Sequence, residues 1–385
     1  MEEIANGIFK EDISYGRVYG TAYFKKELSS SKGILLVPGF SRNRYSMSAL
    51  AQALAENGYF CLSIDPPSHF LNFNKFTIGE LSESIHDSIY VMQSKYKIKK
   101  IALLGHSMGA IGVLFSVAGY NSSIEKNIYE IWDRMLMLLD KQSYIIKNYP
   151  SQLNAIIKIL DELEECYNEI KKMILDSIKK CIGQINPVQC CILLAPPLDP
   201  ARAIPAIGIL KKLNEDKARR IFEYLIHRPA VKRIYKDGNP VGYIPDENPE
   251  YLKWQFFKTK GAHEFLDYFL HIQTPLDYLK LIEDISKMRN KDDKINFLQY
   301  YHKKYLVFKP KIFIYGMKDL FLRPFMPFAK KRLENYYESC GNAEIHHGSF
   351  SHIMKQNPNQ QLAAIAIDNE TVILWVSDFL KRNLK

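Results

Sequence analysis

Residues Ile101 to Gly109 read IALLGHSMG, and this stretch restricts the possible folds of the chain more tightly than any other. Four apolar residues, Ile101 to Leu104, run without interruption, as a strand buried on both faces should. They lead into Gly105-His106-Ser107-Met108-Gly109, and Ala110 to Phe115 then continues as an apolar helix. So short a passage from strand to helix forces the serine into a strained backbone conformation. A Cβ at position 105 or 109 would strike the neighbouring strand or helix. Glycine at both positions removes that collision. The pattern is that of a nucleophile elbow, which lifts the Ser107 hydroxyl above the sheet edge and aims the first helical amides, beginning with that of Met108, at an oxyanion formed there.

An activated serine needs a base to take its proton and an acid to orient that base. Lys311 to Gly316 reads as a buried strand closing on glycine, and Met317-Lys318-Asp319 places a carboxylate just beyond it. Ala343 to His346 is a further strand-like segment, and its loop Gly348-Ser349-Phe350-Ser351-His352 presents an imidazole. The candidate catalytic residues are therefore Ser107 as nucleophile, His352 as base and Asp319 as acid. His346 and His347 fall in the strand, one facing into the sheet and the other away from the site. Asp199, after the strand from Cys190 to Ala195, is the alternative acid. The second oxyanion donor should follow the strand Gly33 to Val37, where Gly39 lets the backbone turn outward and the amide of Phe40 comes next. Arg42 and Arg44 lie near the expected mouth of the site, where they either meet an anionic part of a substrate or face water.

Strands and helices alternate along the chain. Arg17 to Tyr23 and Lys32 to Val37 read as strands, Ser46 to Glu56 as a helix, Tyr59 to Ile64 as a strand and Ile78 to Lys95 as a helix before the elbow. That order implies a mainly parallel sheet covered by helices on both faces, with the site at the carboxyl ends of the strands. Together with Val37-Pro38-Gly39-Phe40, Ile64-Asp65-Pro66-Pro67, Leu194-Ala195-Pro196-Pro197, Gly316 to Asp319 and Ser351-His352, the elbow resembles the α/β-hydrolase superfamily. Within it, the chain is most similar to the serine aminopeptidase, monoacylglycerol lipase and esterase group. The resemblance covers residues 15 to 120, 188 to 200 and 308 to 382. It departs at Pro38-Gly39, where relatives often have His-Gly, and at Pro67-Ser68-His69-Phe70, where they often have a Gly-His-Gly loop. It implies an α/β-hydrolase fold and a serine hydrolase that cleaves a small-molecule carboxylic ester through an acyl-enzyme. An acyltransferase or thioesterase would use the same groups. A non-catalytic binding or scaffold protein on this fold would be expected to lack one of them, and all three positions are filled.

The layout divides into a core at residues 1–121, a helical hairpin insertion at 122–183, a core strand at 184–198, a mostly helical cap at 199–307 and the last part of the core at 308–385. In the hairpin, Leu153, Ile156, Leu160, Leu163, Tyr167, Ile170 and Ile174 alternate steps of three and four, and Ile178 and Cys181 carry the stripe on. Ile124, Ile128, Ile131, Met135 and Leu138 mark the preceding helix, and Asn148 to Ser151 separates the two. Their pairing is expected within the chain, with a homodimer or a protein partner as the other use of this surface. In the cap, nine lysines and arginines between Lys211 and Lys236 face three acidic residues, a large part of the chain's net charge of +10. An aromatic stretch follows, from Trp254 to Phe269. Basic flanks around apolar residues suit transient contact with lipid or a membrane.

Other classes are not indicated. The hairpin's charges nearly cancel and the basic stretch matches no recognised motif, which argues against nucleic acid as a partner. The six cysteines have no zinc-site spacing, and neither GxGxxG nor GxxxxGK is present, so neither metal nor cofactor is expected. Met1-Glu2-Glu3 is acidic and no apolar run of signal-peptide or membrane-spanning length follows. A reducing cytoplasm fits this composition best.

Overall fold

The computed structural model describes residues 1–5, 7–26, 31–39, 42–67, 69–72, 74, 76–117, 119–149, 151–196, 231–236, 239–245, 309–316, 343–350, 354, 367 and 369–385. Three antiparallel strands open it: β1 (Glu2–Ala5), β2 (Ile8–Tyr15) and β3 (Val18–Lys25). β4 (Lys32–Val37), β5 (Phe60–Ile64), β6 (Lys100–His106) and β7 (Val188–Leu194) follow, with an isolated ribbon of β8 (Val231–Lys236) and β9 (Asn239–Pro245) before β10 (Lys311–Gly316) and β11 (Ala343–Gly348). The main sheet has the order β1-β2-β3-β5-β4-β6-β7-β10-β11, parallel from β5 to β11. The chain steps from β4 outward to β5 and then crosses back over β4 to β6. The sheet therefore changes direction between β4 and β6, and ligand crevices open outside the carboxyl ends of strands at such a point.

Both faces of the central strands are buried, which is why they read as continuous apolar runs. Leu35, Leu103, Leu193 and Phe313 join one apolar cluster, beneath α2 (Ile78–Ser94) and α3 (Met108–Val117). Leu36, Leu104, Ile192 and Ile314, each the chain neighbour of one of these, join the opposite cluster with α1 (Ser48–Glu56) and α6 (Glu370–Asn383). The alternation follows from the two-residue period of a strand. β1 and β2 have no counterpart in the sequence reading. β2 mixes Lys10, Glu11 and Asp12 among its apolar residues because much of it is only partly buried.

Two long helices, α4 (Ser122–Asn148) and α5 (Leu153–Ile185), occupy the hairpin insertion. Asn121 caps α4 by accepting from the Ile124 amide. Ile124, Ile131 and Met135 are buried as the periodicity requires. On α5 Leu163 and Ile170 of the expected stripe are buried and Ile156 and Leu160 are partly covered, while Ile159 and Cys166 are buried beside them and Met173 is partly covered. Leu153, the stripe's expected first member, is 66% exposed. The covered face is therefore wider than the expected stripe and extends to one side of it, Ile159 beside Leu160. Side chains at 128, 167, 174, 178 and 181 lie outside the described residues.

The root of α4 is tied to α2. Ser122 donates from its amide to Glu83 (2.9 Å) and from its hydroxyl to Glu80 (3.0 Å), and one turn later Glu125 accepts the Gly79 amide (2.9 Å). α4 therefore runs back along α2 toward its first turn, on the sheet edge where β5 ends. No helix among the described residues is long and apolar enough to cross a membrane. Within 199–307, expected to be mostly helical, the elements described are the antiparallel strands β8 and β9, paired from Lys236↔Asn239 to Val231↔Pro245. In the sequence the residues between them, Asp237-Gly238, are a dipeptide that favours two-residue hairpin loops. The aromatic stretch lies outside the described residues.

Arg44 does not face a ligand. It is 2% exposed, in a 3₁₀ turn (Arg44–Met47) entering α1, and binds the fully buried Asp65 just beyond β5. Its amide donates to Asp65 Oδ1 (2.8 Å), and its Nε and Nη2 donate to Oδ2 (2.9 and 2.7 Å). Nη1 donates to the Gly20 carbonyl on β3 (2.7 Å). Burial pushes the Asp65 carboxyl up, and the Arg44 guanidinium with the Arg44 and Leu71 amides pulls it back. His69, in the same loop, is fully buried with Nδ1 2.7 Å from the Pro67 carbonyl, so Nδ1 carries the hydrogen. Burial pushes its imidazole down to about 3.

Asp65→Ala strands a buried guanidinium and should cost about 3–5 kcal/mol in urea unfolding; a loss below about 1 kcal/mol would contradict the buried pair. His69, with its folded pKa below the unfolded value, binds fewer protons when folded at pH between about 6.5 and 3. Its contribution to stability is therefore present above that window and lost as pH falls through it, by about 1.4 kcal/mol per pH unit. His69→Gln should remove one proton from the slope of stability against pH between pH 6 and 4, and an unchanged slope would refute a buried neutral His69.

Candidate active site

β6 ends at His106 and α3 begins at Met108, so Ser107 alone makes the turn. Its φ is +52°, in the left-handed region that residues with a Cβ rarely enter. Both of its backbone groups are held. The Ser107 amide donates to Leu194 at the end of β7 (2.8 Å), and its carbonyl accepts from Ala110 (3.0 Å) and Ile111 (3.3 Å). Between residues 101 and 110 only Ser107 is more than minimally exposed. The Met108 amide opens α3 and belongs to the helix-start donors that have no partner within the helix.

The glycines mark close backbone approaches. A Cβ on Gly105 would lie 2.5 Å from the Ala110 Cα and nitrogen, and one on Gly109 would lie 2.1 Å from the Val37 carbonyl oxygen. Backbone cannot yield to such contacts, so α3 lies against the end of β4 only because residue 109 has no side chain. Gly39 closes the arrangement: a Cβ there would lie 3.0 Å from the Ser107 Cβ and 3.0 Å from His106 Nδ1. The turn after β4 thus rests directly on the elbow, in line with the register Val37↔Gly105. Arg42 turns back by donating its amide to the Gly39 carbonyl (3.2 Å), and the chain then enters the buried Arg44 anchor.

Phe40, Asp319 and His352 lie outside the described residues, as does Asp199. The strands that lead to Asp319 and His352 are described. β10 ends three residues before Asp319 and β11 four before His352, and both run parallel to β6 with their carboxyl ends on the elbow's edge. The other two histidines here have packing roles. His346 lies 4.9 Å from the Trp375 ring and 3.5 Å from Glu344, while His347 stacks on Tyr315 at 6.0 Å. The described cysteines, Cys61, Cys166, Cys190 and Cys191, are buried free thiols. Burial pushes Cys61 and Cys190 up and holds Cys191 at about 11, so none of these three competes with Ser107 as a nucleophile. Among the described residues no three His, Cys, Asp or Glu side chains converge on a metal-sized site.

Comparison with known proteins finds a matching family model over part of the chain. Residues 33–154 match a family model described as the alpha/beta hydrolase fold. Cutinase 2 of Thermobifida cellulosilytica is 26% identical over 102 residues, covering 25% of this chain and 37% of that protein. A cutinase of Thermobifida fusca is 26% identical over 102 residues, with 31% of its length covered. The chain thus spans about a third of the length of these curated relatives. An esterase of Pyrococcus furiosus overlays 98% of this chain and 92% of its own at a TM-score of 0.47 and 14% identity. A bromoperoxidase of Bacillus anthracis overlays 97% and 99% at a TM-score of 0.45 and 13% identity. The strand order, the strained serine between β6 and α3 and the match over residues 33–154 together establish that the chain has the α/β-hydrolase fold.

Proposed function

We propose that the chain is a serine hydrolase that cleaves a carboxylic ester. The observation that carries this reading is Ser107 itself: a partly exposed serine at φ +52°, flanked by two glycines whose positions admit no Cβ, beside the turn of Pro38-Gly39. A serine needed only to cap α3 would adopt ordinary extended backbone. Strain of this kind persists where the surrounding structure over-determines it, characteristically at sites of chemistry. The cutinase relatives support an ester as the substrate.

In this reading Ser107 Oγ attacks the acyl carbonyl while His352 takes the hydroxyl proton. Asp319 orients the imidazole and stabilises it when charged. The amides of Phe40 and Met108 hold the oxyanion, each worth about 3 kcal/mol of transition-state stabilisation. His352 returns the proton to the leaving alcohol, which departs as the acyl-enzyme forms. Water then attacks that ester, giving its proton to His352, and the carboxylic acid leaves with Ser107 restored. The pre-set serine backbone matters because no reorganisation is needed at the moment of attack.

Ser107→Ala should lower kcat on a short p-nitrophenyl ester by at least about a thousandfold, with an unchanged circular dichroism spectrum. Hydrolysis at the wild-type rate in that variant would end the proposal. Asp319→Asn should lower kcat strongly and Asp199→Asn should not; the reverse pattern would move the acid to the end of β7.

A further inference from the structure

The α4–α5 hairpin carries charge and apolar surface in an arrangement its packing does not require. Every acidic residue of the hairpin lies in its two stems, up to Asp140 and again from Asp161. Between those two aspartates the charged residues are Lys141, Lys147 and Lys158. This same interval, the hairpin's tip, exposes Tyr144 (60%), Ile146 (51%), Tyr149 (49%), Leu153 (66%) and Ile157 (47%). A helix end that is both basic and apolar on its open surface, on stems of the opposite sign, is what an anionic bilayer surface selects. Tyrosines suit the headgroup level, Ile and Leu reach the acyl boundary, and lysines extend to phosphates.

The tip's position adds to this. α4 passes Gly79 at Glu125 while running toward the first turn of α2. Residues 126–148 then continue for about 35 Å at 1.5 Å per residue. The hairpin therefore leaves the core on the carboxyl edge of the sheet, the edge that carries Ser107. A second copy is a poor occupant, since two tips would bring three lysines against three.

We propose that the tip of the α4–α5 hairpin, residues 141–160, is a peripheral docking surface for an anionic lipid bilayer. The contact is independent of the reaction at Ser107, so its test does not rely on activity. Full-length chain, wild type and Ser107→Ala alike, should co-sediment with vesicles of phosphatidylcholine plus phosphatidylserine, and far less with phosphatidylcholine alone. Each of Lys141→Gln, Lys147→Gln and Lys158→Gln should weaken partitioning about fivefold, and the triple variant roughly a hundredfold. Ile146→Ser with Ile157→Ser should weaken it further while leaving the circular dichroism spectrum unchanged. Three results would overturn the proposal: equal binding to neutral and anionic vesicles; undiminished binding by the triple variant, which would shift the contact to the basic stretch at 211–236; or a concentration-dependent dimer that the tip substitutions abolish.

Discussion

Three stretches of backbone meet at the carboxyl edge of the sheet with almost no side chain between them. They are Val37 to Gly39, His106 to Ser107, and Gly109 to Ala110. A helix that approaches a strand end this closely fixes the direction in which the chain leaves that strand, so the left-handed φ of Ser107 is a consequence of the packing. Holding a non-glycine residue there costs on the order of 1–3 kcal/mol. The hydrogen bonds from Ser107 to Leu194 and from Ala110 and Ile111 to Ser107 contribute about 1 kcal/mol each, enough to offset it. Because one of those bonds reaches β7, the elbow is locked to strands on both sides, and its hydroxyl is placed by the sheet as a whole.

The turn that rests on the elbow is anchored from its other end. Arg44 gathers β3 through Gly20, the end of β5 through Asp65 and its own segment between β4 and α1. Asn72 adds a bond to the Asp65 carbonyl (3.0 Å), and Ser63 to that of Arg44 (2.7 Å). The rings of Tyr45 and Phe70 lie 5.9 and 5.4 Å from the guanidinium. Net stability does not account for such a pair, because apolar residues of the same volume often serve as well or better. Direction accounts for it better. A planar guanidinium with donors to a carboxylate and a carbonyl fits one arrangement of three segments, whereas an apolar cluster tolerates several. The short chain from Gly39 to Arg44 then has both ends fixed, one against Ser107 and one in this anchor.

Legibility in the sequence follows from how local each determinant is. The central strands announce themselves because burial on two faces demands apolar runs, and the elbow announces itself because the glycines answer to contacts a few residues away in chain and space. Phe40, Asp319 and His352 are expected from their positions after such strands, and β4, β10 and β11 are the described strands that precede them. Arg44 was misread for the opposite reason. Its partner lies 21 residues away, beyond α1 and β5, and nothing in Ser41-Arg42-Asn43-Arg44 distinguishes a buried arginine from a solvated one. β2 is not legible because a half-covered strand near a sheet edge keeps its charges, and the covered face of α5 is wider than its stripe because Ile159 and Cys166 are apolar as well. Each error arises where tertiary neighbours, not local pattern, decide which side of an element is covered.

That last point also explains why the hairpin tip is not simply underpacked. On α4 the seam claims Ile145, which is buried, so Ile146, rotated by 100° on the helix, must face another way. On α5 it claims Ile159, leaving Ile157 turned outward. Residues rotated out of a seam are ordinarily polar, because facing water then costs nothing. In the stems most are: Glu164 and Glu165 are exposed beside the buried Leu163 and Cys166, with Met137, 72% exposed, as the apolar exception. At the tip the same outward positions hold isoleucine, leucine and tyrosine, and the only charges among them are positive. Along the helix pair the sign of the outward charge changes at Asp140 and Asp161. A single partner, α4 for α5, explains the stems. At the tip, the described residues supply no second apolar surface to match it.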